Sequence, residues 1–429
     1  MHDEKAMTVA PYIQMFYNKS IKTGDRKDTS MLSPRAQKIK PSPTLAIDSR
    51  AKAMKASGVD VVNFGVGEPD FDTPDNIKEA ACRAIRDGFT KYTPVGGIDP
   101  LKDAIIEKFG SDNGIAYSRE QIVVSCGAKH SLYNIAQALY GQGDEVIIPS
   151  PYWVSYPDQV LLNDAQPVFV PTYEKDSFMV KPEALVACIT GKTKALILNS
   201  PSNPTGMVYD RKTLEKIAEL AVRHKFYVIS DEIYEKLVYD SAVHISIASL
   251  GDEIRARTIV VNGLSKSHAM TGWRLGFTAG PADVIKAMTN IQSQSTSNPC
   301  SITQKAAVEA LKGPQDFIAL MRSEFDKRRT FIVNELNTIP GMHCVTPNGA
   351  FYAFPNTAKI YGSRFGGKTI ASSTDLALYL LEEAQVALVP GDAFGDDNYL
   401  RISYATSLDD IRKGTERIRQ AVQNLAPVK

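Results

Sequence analysis

Lys266 stands in Ser265-Lys266-Ser267-His268-Ala269-Met270-Thr271-Gly272-Trp273-Arg274, just after the apolar run Thr258-Ile259-Val260-Val261-Asn262 and a short offset before an arginine. An amine at a strand end can be desolvated, which lowers its pKa and makes it a nucleophile toward carbonyl carbon. Arg274 offers a planar fork that suits a phosphate. Together they present a Schiff-base lysine beside a phosphate clamp. Most lysines are solvated surface charges, so this segment gains its weight from others. Asp231 and Tyr234 lie in Val228-Ile229-Ser230-Asp231-Glu232-Ile233-Tyr234, and Asn203 in Asn199-Ser200-Pro201-Ser202-Asn203-Pro204-Thr205-Gly206. Arg401, in Leu400-Arg401-Ile402-Ser403-Tyr404, offers a bidentate fork for a carboxylate. Ser125-Cys126-Gly127-Ala128-Lys129 runs from a strand into a helix, where Gly127 permits close approach and the next amides carry the positive end of the helix dipole.

These residues need a scaffold. From about Gln121 to Gly280 short β-branched runs alternate with helical patterns: Gln121–Ser125, Glu145–Pro149, Pro167–Val170, Ala195–Leu198, Phe226–Ser230, Thr258–Val261 and Leu275–Thr278. Near-continuous apolar runs of this kind read as central strands covered on both faces. A helix is expected over Arg211–His224, with Asp210 as N-cap and Leu214, Ile217, Ala218 and Ala221 on one face. The sum is an α/β domain with a mostly parallel sheet, whose strand ends are where such folds hold ligands. After Gln304 one long helical stretch through Glu309, Leu320 and Phe325 leads to strands around Ala350–Phe354 and Tyr399–Ser403. A last helix follows Ser407, where Ser407-Leu408-Asp409-Asp410 has capping-box form and Ile411, Ile418, Ala421, Val422 and Leu425 supply the apolar stripe. This part reads as a smaller α/β lobe.

The motifs, together with Val66-Gly67-Glu68-Pro69-Asp70-Phe71-Asp72-Thr73-Pro74 and Ser150-Pro151-Tyr152-Trp153-Val154-Ser155-Tyr156-Pro157, resemble the class I/II pyridoxal-phosphate aminotransferases, nearest their bacterial-type aspartate aminotransferase branch. The likeness runs from about Met31 to the C-terminus. It implies a fold-type I transferase with a large cofactor-binding domain over 75–305 and a small, discontinuous domain made of 31–74 and 306–429. Residues 1–30 form an extension outside the likeness, with disorder, an added segment or a start ahead of Met31 left open.

Each role below is what the resemblance implies. Lys266 is the Schiff-base lysine and proton shuttle. Pyridoxal phosphate serves as electron sink once its ring nitrogen is protonated, so a carboxylate must sit against that nitrogen; Asp231 takes this role. Tyr234 bonds the ring oxygen, and Asn203 is shared between that oxygen and the substrate α-carboxylate. Trp153 stacks on the ring, whereas Trp273 is assigned to packing. Gly127, Ala128 and Lys129 cradle the phosphate with Ser265 and Arg274, while Tyr92 reaches it from a neighbouring subunit of an obligate homodimer. Arg401 and the Gly67 backbone hold the α-carboxylate. In the eukaryotic-type branch a second carboxylate meets an arginine, but here the corresponding stretch reads Gln292-Ser293-Gln294-Ser295-Thr296-Ser297. Lys40 and Lys129, helped by a hydroxyl from 295–297, are expected to replace it. The implied reaction is ping-pong transfer between aspartate and 2-oxoglutarate, with prephenate as a further acceptor. An alanine, aromatic or diaminopimelate aminotransferase, a lyase of the same fold, or an idle cofactor-binding module are the alternatives.

Composition excludes other classes. Lys plus Arg total 49 against 48 for Asp plus Glu, so nothing electrostatic points to nucleic acid or an anionic membrane. The 5 cysteines are scattered and never in C-x-x-C spacing, and the 6 histidines show no H-E-x-x-H, which leaves no metal site to propose. The first thirty residues carry no signal-type apolar stretch, so a cytoplasmic location is expected. Gly65-x-Gly67 cannot open a dinucleotide-binding helix between Pro69 and Pro74, and no G-x-S-x-G stands where a serine hydrolase would need it.

Overall fold

The computed structural model describes residues 32–39, 41 and 43–426; Lys40 and the 1–30 extension lie outside the described residues. The seven apolar runs become one sheet: β1 (Ile122–Ser125), β2 (Glu145–Ser150), β3 (Gln166–Pro171), β4 (Thr193–Asn199), β5 (Tyr227–Asp231), β6 (Thr258–Gly263) and β7 (Gly276–Ala279). Their spatial order is β1-β7-β6-β5-β4-β2-β3. β7 is antiparallel to β1 and β6, and the other neighbouring pairs are parallel. The carboxyl ends of β1, β2, β4, β5 and β6 therefore share one edge, and β7 starts from it.

Alternation along the strands explains why they are apolar throughout. Val146 and Ile148 join one cluster with Leu132 and Ile135, whereas Ile147 between them joins another with Leu214 and Ile217. Successive side chains of a strand face opposite sides, so a sheet covered on both faces needs both parities apolar. The covering helix Arg211–His224 has the expected bounds, and the Asp210 carboxylate accepts from Thr213 N at 2.7 Å. Asp210→Ala is expected to lower stability by ~1 kcal/mol, read as a shift of the urea midpoint at unchanged slope.

The long helical stretch expected after Gln304 is two helices, Ser301–Lys312 and Asp316–Asn337. Pro314 lacks an N–H and disfavours helical backbone at the residue before it, and Gly313 is accordingly extended at φ −76°, ψ −172°. The two helices also pack differently. Ala306, Ala307 and Ala310 join Ile77, Leu101 and Phe277 beside the large sheet, while Met321, Phe325 and Ile332 join Val62, Phe64, Ile411 and Ile418. That second cluster surrounds a three-stranded antiparallel sheet of β8 (Tyr352–Ala353), β9 (Val389–Pro390) and β10 (Leu400–Ser403), ordered β9-β10-β8. The final helix, Leu408–Gln423, is capped by Ser407, whose hydroxyl accepts from Asp410 N at 3.1 Å. The Asp410 carboxylate accepts from the Thr406 hydroxyl at 3.0 Å. No described helix is long and apolar enough to cross a membrane.

Candidate active site

The shared carboxyl edge collects the chemistry. Asp231 ends β5, Asn203 follows β4, Trp153 follows β2, Gly127 follows β1, and the β6-to-β7 connection carries Lys266 and Arg274. The registers Asn199–Asp231 and Gly263–Gly276 fix these ends beside one another.

Lys266 Nζ donates to Gly67 O at 2.5 Å, which brings the segment before the large domain onto the lysine. Burial pulls its ammonium down to about 8, against the opposing pull of Glu68. Asp231 is 5% exposed. Burial pushes its carboxyl up to about 6, partly offset by Tyr156, whose hydroxyl donates to Oδ2 at 2.7 Å, and by the amide of Ile233. Arg401 is 2% exposed; it donates from Nη2 to Gly65 O at 2.7 Å and from Nη1 to Asn203 Oδ1 at 3.2 Å, and its Nε has no acceptor. Its guanidinium lies over the rings of Tyr352 and Phe394, at 4.8 and 5.0 Å from the centroids. Among the described residues none of these three charges belongs to an ion pair, unlike the surface arginines and lysines. A buried charge with no partner costs several kcal/mol, so Arg401 in particular, 2% exposed and with no carboxylate beside it, is suited to a ligand that brings a negative charge.

The structure fits a bound pyridoxal phosphate at the other end as well. The helix Ala128–Leu139 starts at Gly127 with φ +90° and no side-chain cap, leaving its first amides free for an anion. A Cβ at Gly127 would lie 2.4 Å from Arg274 Nη2, and one at Gly276 would lie 2.3 Å from Ala128 N. Only glycines let the arginine and the turn approach so closely. Lys129 Nζ stands 4.9 Å from the Trp153 ring centroid, and burial lowers its pKa. Ser265 is buried beside Lys266, and the exposed Arg274 reaches the turn, donating from Nη2 to Cys126 O at 3.4 Å.

Two participants carried no assigned role in the sequence. Tyr156 faces Asp231 as described. Tyr352, from the small sheet, meets Tyr234 hydroxyl to hydroxyl at 2.8 Å, and its oxygen would lie 2.7 Å from a Cβ at Gly67. An aromatic next to Ala353 gives no signal of that contact in sequence. Gln292 turns inward, fully buried, so it is not presented to a substrate. In the stretch that follows, Ser295 Oγ bonds back to Gln292 O at 3.3 Å. Trp273 packs and satisfies its N–H on Thr73 Oγ1 at 2.9 Å. Tyr92 is 90% exposed and makes no hydrogen bond to another of the described site residues. Glu232, Glu235 and His244 come together beneath Asp231. Glu232 already accepts from Ser246 Oγ at 2.7 Å, Ser230 Oγ at 2.8 Å and His244 Nε2, and Glu235 pairs with Lys108, so these carboxylates are occupied.

A lysine, a carboxylate and an arginine outside any described ion pair, with a glycine-floored anion cradle at the same sheet edge, fit the site expected of a transferase that works on a phosphate-bearing carbonyl cofactor. The chain belongs to the class I and II aminotransferases, whose family profile matches residues 59–418. It is 50% identical to the aspartate aminotransferase of Geobacillus stearothermophilus over 91% of this chain and 99% of that one. A probable aspartate/prephenate aminotransferase of Rickettsia conorii is 50% identical over 92% and 98% of the two chains. The crystal structure of the aspartate aminotransferase from Rhizobium meliloti superposes with a TM-score of 0.89 at 45% identity, covering 92% of this chain and 100% of that one.

Proposed function

We propose that the protein transfers the amino group of aspartate to 2-oxoglutarate, giving oxaloacetate and glutamate, with pyridoxal phosphate as cofactor. The observation that carries this reading is one site that gathers Lys266, the buried Asp231 and the buried Arg401 with no ion pair to any of them among the described residues. Lys266 would hold the cofactor through Nζ, Asp231 would face its ring nitrogen, Tyr234 and Asn203 its ring oxygen, and Trp153 its ring face. Gly127, Ala128, Lys129, Ser265 and Arg274 would hold the phosphate. Bound there, pyridoxal phosphate supplies the sink for the electron pair left at the α-carbon when its proton departs.

The chain's own groups do the rest. Arg401 takes the α-carboxylate, which every amino and oxo acid carries, in bidentate fashion, and Gly67 and Asn203 complete its seat. This fixes the α-carbon next to Lys266 Nζ, whose depressed pKa lets it act as a base near neutral pH. Two contacts from the large domain to the small one, Lys266 Nζ to Gly67 O at 2.5 Å and Tyr234 to Tyr352 hydroxyl to hydroxyl at 2.8 Å, support closure of the small lobe over the substrate with exclusion of water. The division into a large domain over 75–305 and a small one of 31–74 and 306–429 is part of this reading. The packing of Ala306, Ala307 and Ala310 favours moving its boundary to Gly313.

The second carboxylate of the substrate is assigned to Lys129 and to Lys40. Prephenate fits the same reading, supported by the name of the Rickettsia relative. A homodimer is likewise proposed, supported by the outward Tyr92.

The test is a spectral titration of the holoprotein with a panel of amino acids. Aspartate and glutamate should convert the yellow cofactor band at low concentration; saturation by alanine or phenylalanine instead would overturn the assignment. In Arg401→Lys, kcat/KM should fall roughly 30- to 100-fold. The factor should be similar for every donor, because the group Arg401 holds is common to all.

A further inference from the structure

Tyr92 is 90% exposed, yet the loop that carries it is fastened at residue after residue. Ser301 Oγ donates to Phe89 O at 2.8 Å, Gln304 Nε2 to Thr93 Oγ1 at 2.9 Å, Gln292 Nε2 to Val95 O at 2.8 Å and Val124 N to Gly96 O at 3.0 Å. Ile98 N closes the series by donating to Gln304 Oε1 at 2.9 Å. Gly97 lets the loop lie flat on β1: its φ is +104°, and a Cβ there would stand 2.6 Å from Val124 Cγ2.

Both glutamines are fully buried. Gln292 makes a second donation to Val124 O at 2.8 Å, and its Oε1 accepts from Ser125 Oγ at 2.8 Å and Asn134 Nδ2 at 3.1 Å. That is the full capacity of a carboxamide, two hydrogens given and two lone pairs filled. Its partners are the Tyr92 loop, the last residues of the strand that feeds Gly127, and the helix whose N-terminus forms the cradle. One buried side chain thus ties an outward tyrosine to the phosphate-binding turn of its own subunit.

We infer that Gln292 is a positioning residue that fixes Tyr92 for the phosphate bound in a second copy of the chain, with Gln304 as the other clasp. The inference rests on the reading that Tyr92 serves the neighbouring subunit's cofactor. A phenol aimed across an interface contributes to binding only if its own backbone is held in place beforehand, and two buried carboxamides do this where a solvated loop would not. Gln292 acts through Tyr92 and does not touch the cofactor.

The test is the dissociation constant of pyridoxal phosphate for cofactor-free protein, followed by absorbance, in a double-mutant cycle of Gln292→Met and Tyr92→Phe. Gln292→Met should weaken binding about tenfold with Tyr92 present, equal to ~1.4 kcal/mol, and by no more than about twofold in the Tyr92→Phe background. An equal loss in both backgrounds, or none in either, would overturn the inference. If Tyr92→Phe alone left affinity unchanged, the trans-subunit reading would fall and take this inference with it. If Tyr92→Phe weakened binding and the two effects merely added, the inference alone would fall. Should Gln292→Met not fold, Thr93→Val removes only the hydroxyl held by Gln304; it should weaken binding about threefold, again dependent on Tyr92, and an effect independent of Tyr92 would count against the proposal.

Discussion

Lys266→Ala is expected to lower kcat for transamination by roughly 10⁴-fold or more, the range set by removing a positioned base that also carries the covalent link, while the fold persists. Among the described residues Lys266 makes no ion pair, and its hydrogen bond is the donation to Gly67 O, so deleting the amine leaves a carbonyl to be satisfied by water. The burial that depresses its pKa to about 8 is a cost in the folded state, and alanine removes it. Stability should therefore change little, which separates loss of chemistry from loss of structure. The check pairs a rate with a covalent label. Borohydride should fix pyridoxal phosphate to Lys266 in the parent, found by peptide mass, and to no residue in the variant. Attachment elsewhere in the parent, or a variant within about tenfold of the parent rate, would refute the assignment.

How much of this was legible in the chain differs by element. Six of the seven strands could be read because they are covered on both faces, so that Val146, Ile147 and Ile148 are all apolar and the run stands out. The edge strand Gln166–Pro171, with only Val170 buried, was legible instead from its β-branched and aromatic residues. The helix Arg211–His224 showed both its cap and its stripe. What a single segment cannot show is a partner far away in sequence. Tyr156 meets Asp231 across 75 residues, and Tyr352 meets Tyr234 across 118; each looks locally like core aromatic. Gln292 was read by what it is not, an arginine, whereas its side chain points inward to carbonyls of a strand and a loop. Burial of a glutamine depends on where four separate segments meet, and no periodicity encodes that. The break at Gly313-Pro314 was visible as residues, yet the helical pattern on both sides overrode it.

The role of Asp231 can be separated from its mere presence by pH. Its carboxyl is displaced upward from an ordinary 3.8 to about 6, mainly by burial. A group with a raised folded pKa contributes stability that is fully present below the unfolded value and is lost as pH rises through the folded one. In cofactor-free protein Asp231 should thus contribute a stability loss of about 3 kcal/mol between pH ~4 and pH ~7. Asp231→Asn cannot ionise, so the difference in unfolding free energy between parent and variant should shift across that window, in favour of the variant as pH rises. Urea titrations of both apoproteins at three pH values would show it; a flat difference would mean that the carboxylate is better solvated than its surroundings imply. The same substitution should lower kcat roughly 10²–10³-fold, the usual loss when one preorganised charge is removed, because asparagine can offer the ring nitrogen a dipole but no negative charge to hold a proton there. The Tyr156 hydroxyl, which now donates to Oδ2 at 2.7 Å, would find the amide oxygen in its place, and the substitution gives up the longer 3.3 Å donation from Ile233 N to Oδ1 together with the charge. Stability gained at neutral pH together with activity lost would identify Asp231 as a residue whose burial is tolerated for the sake of the group it faces.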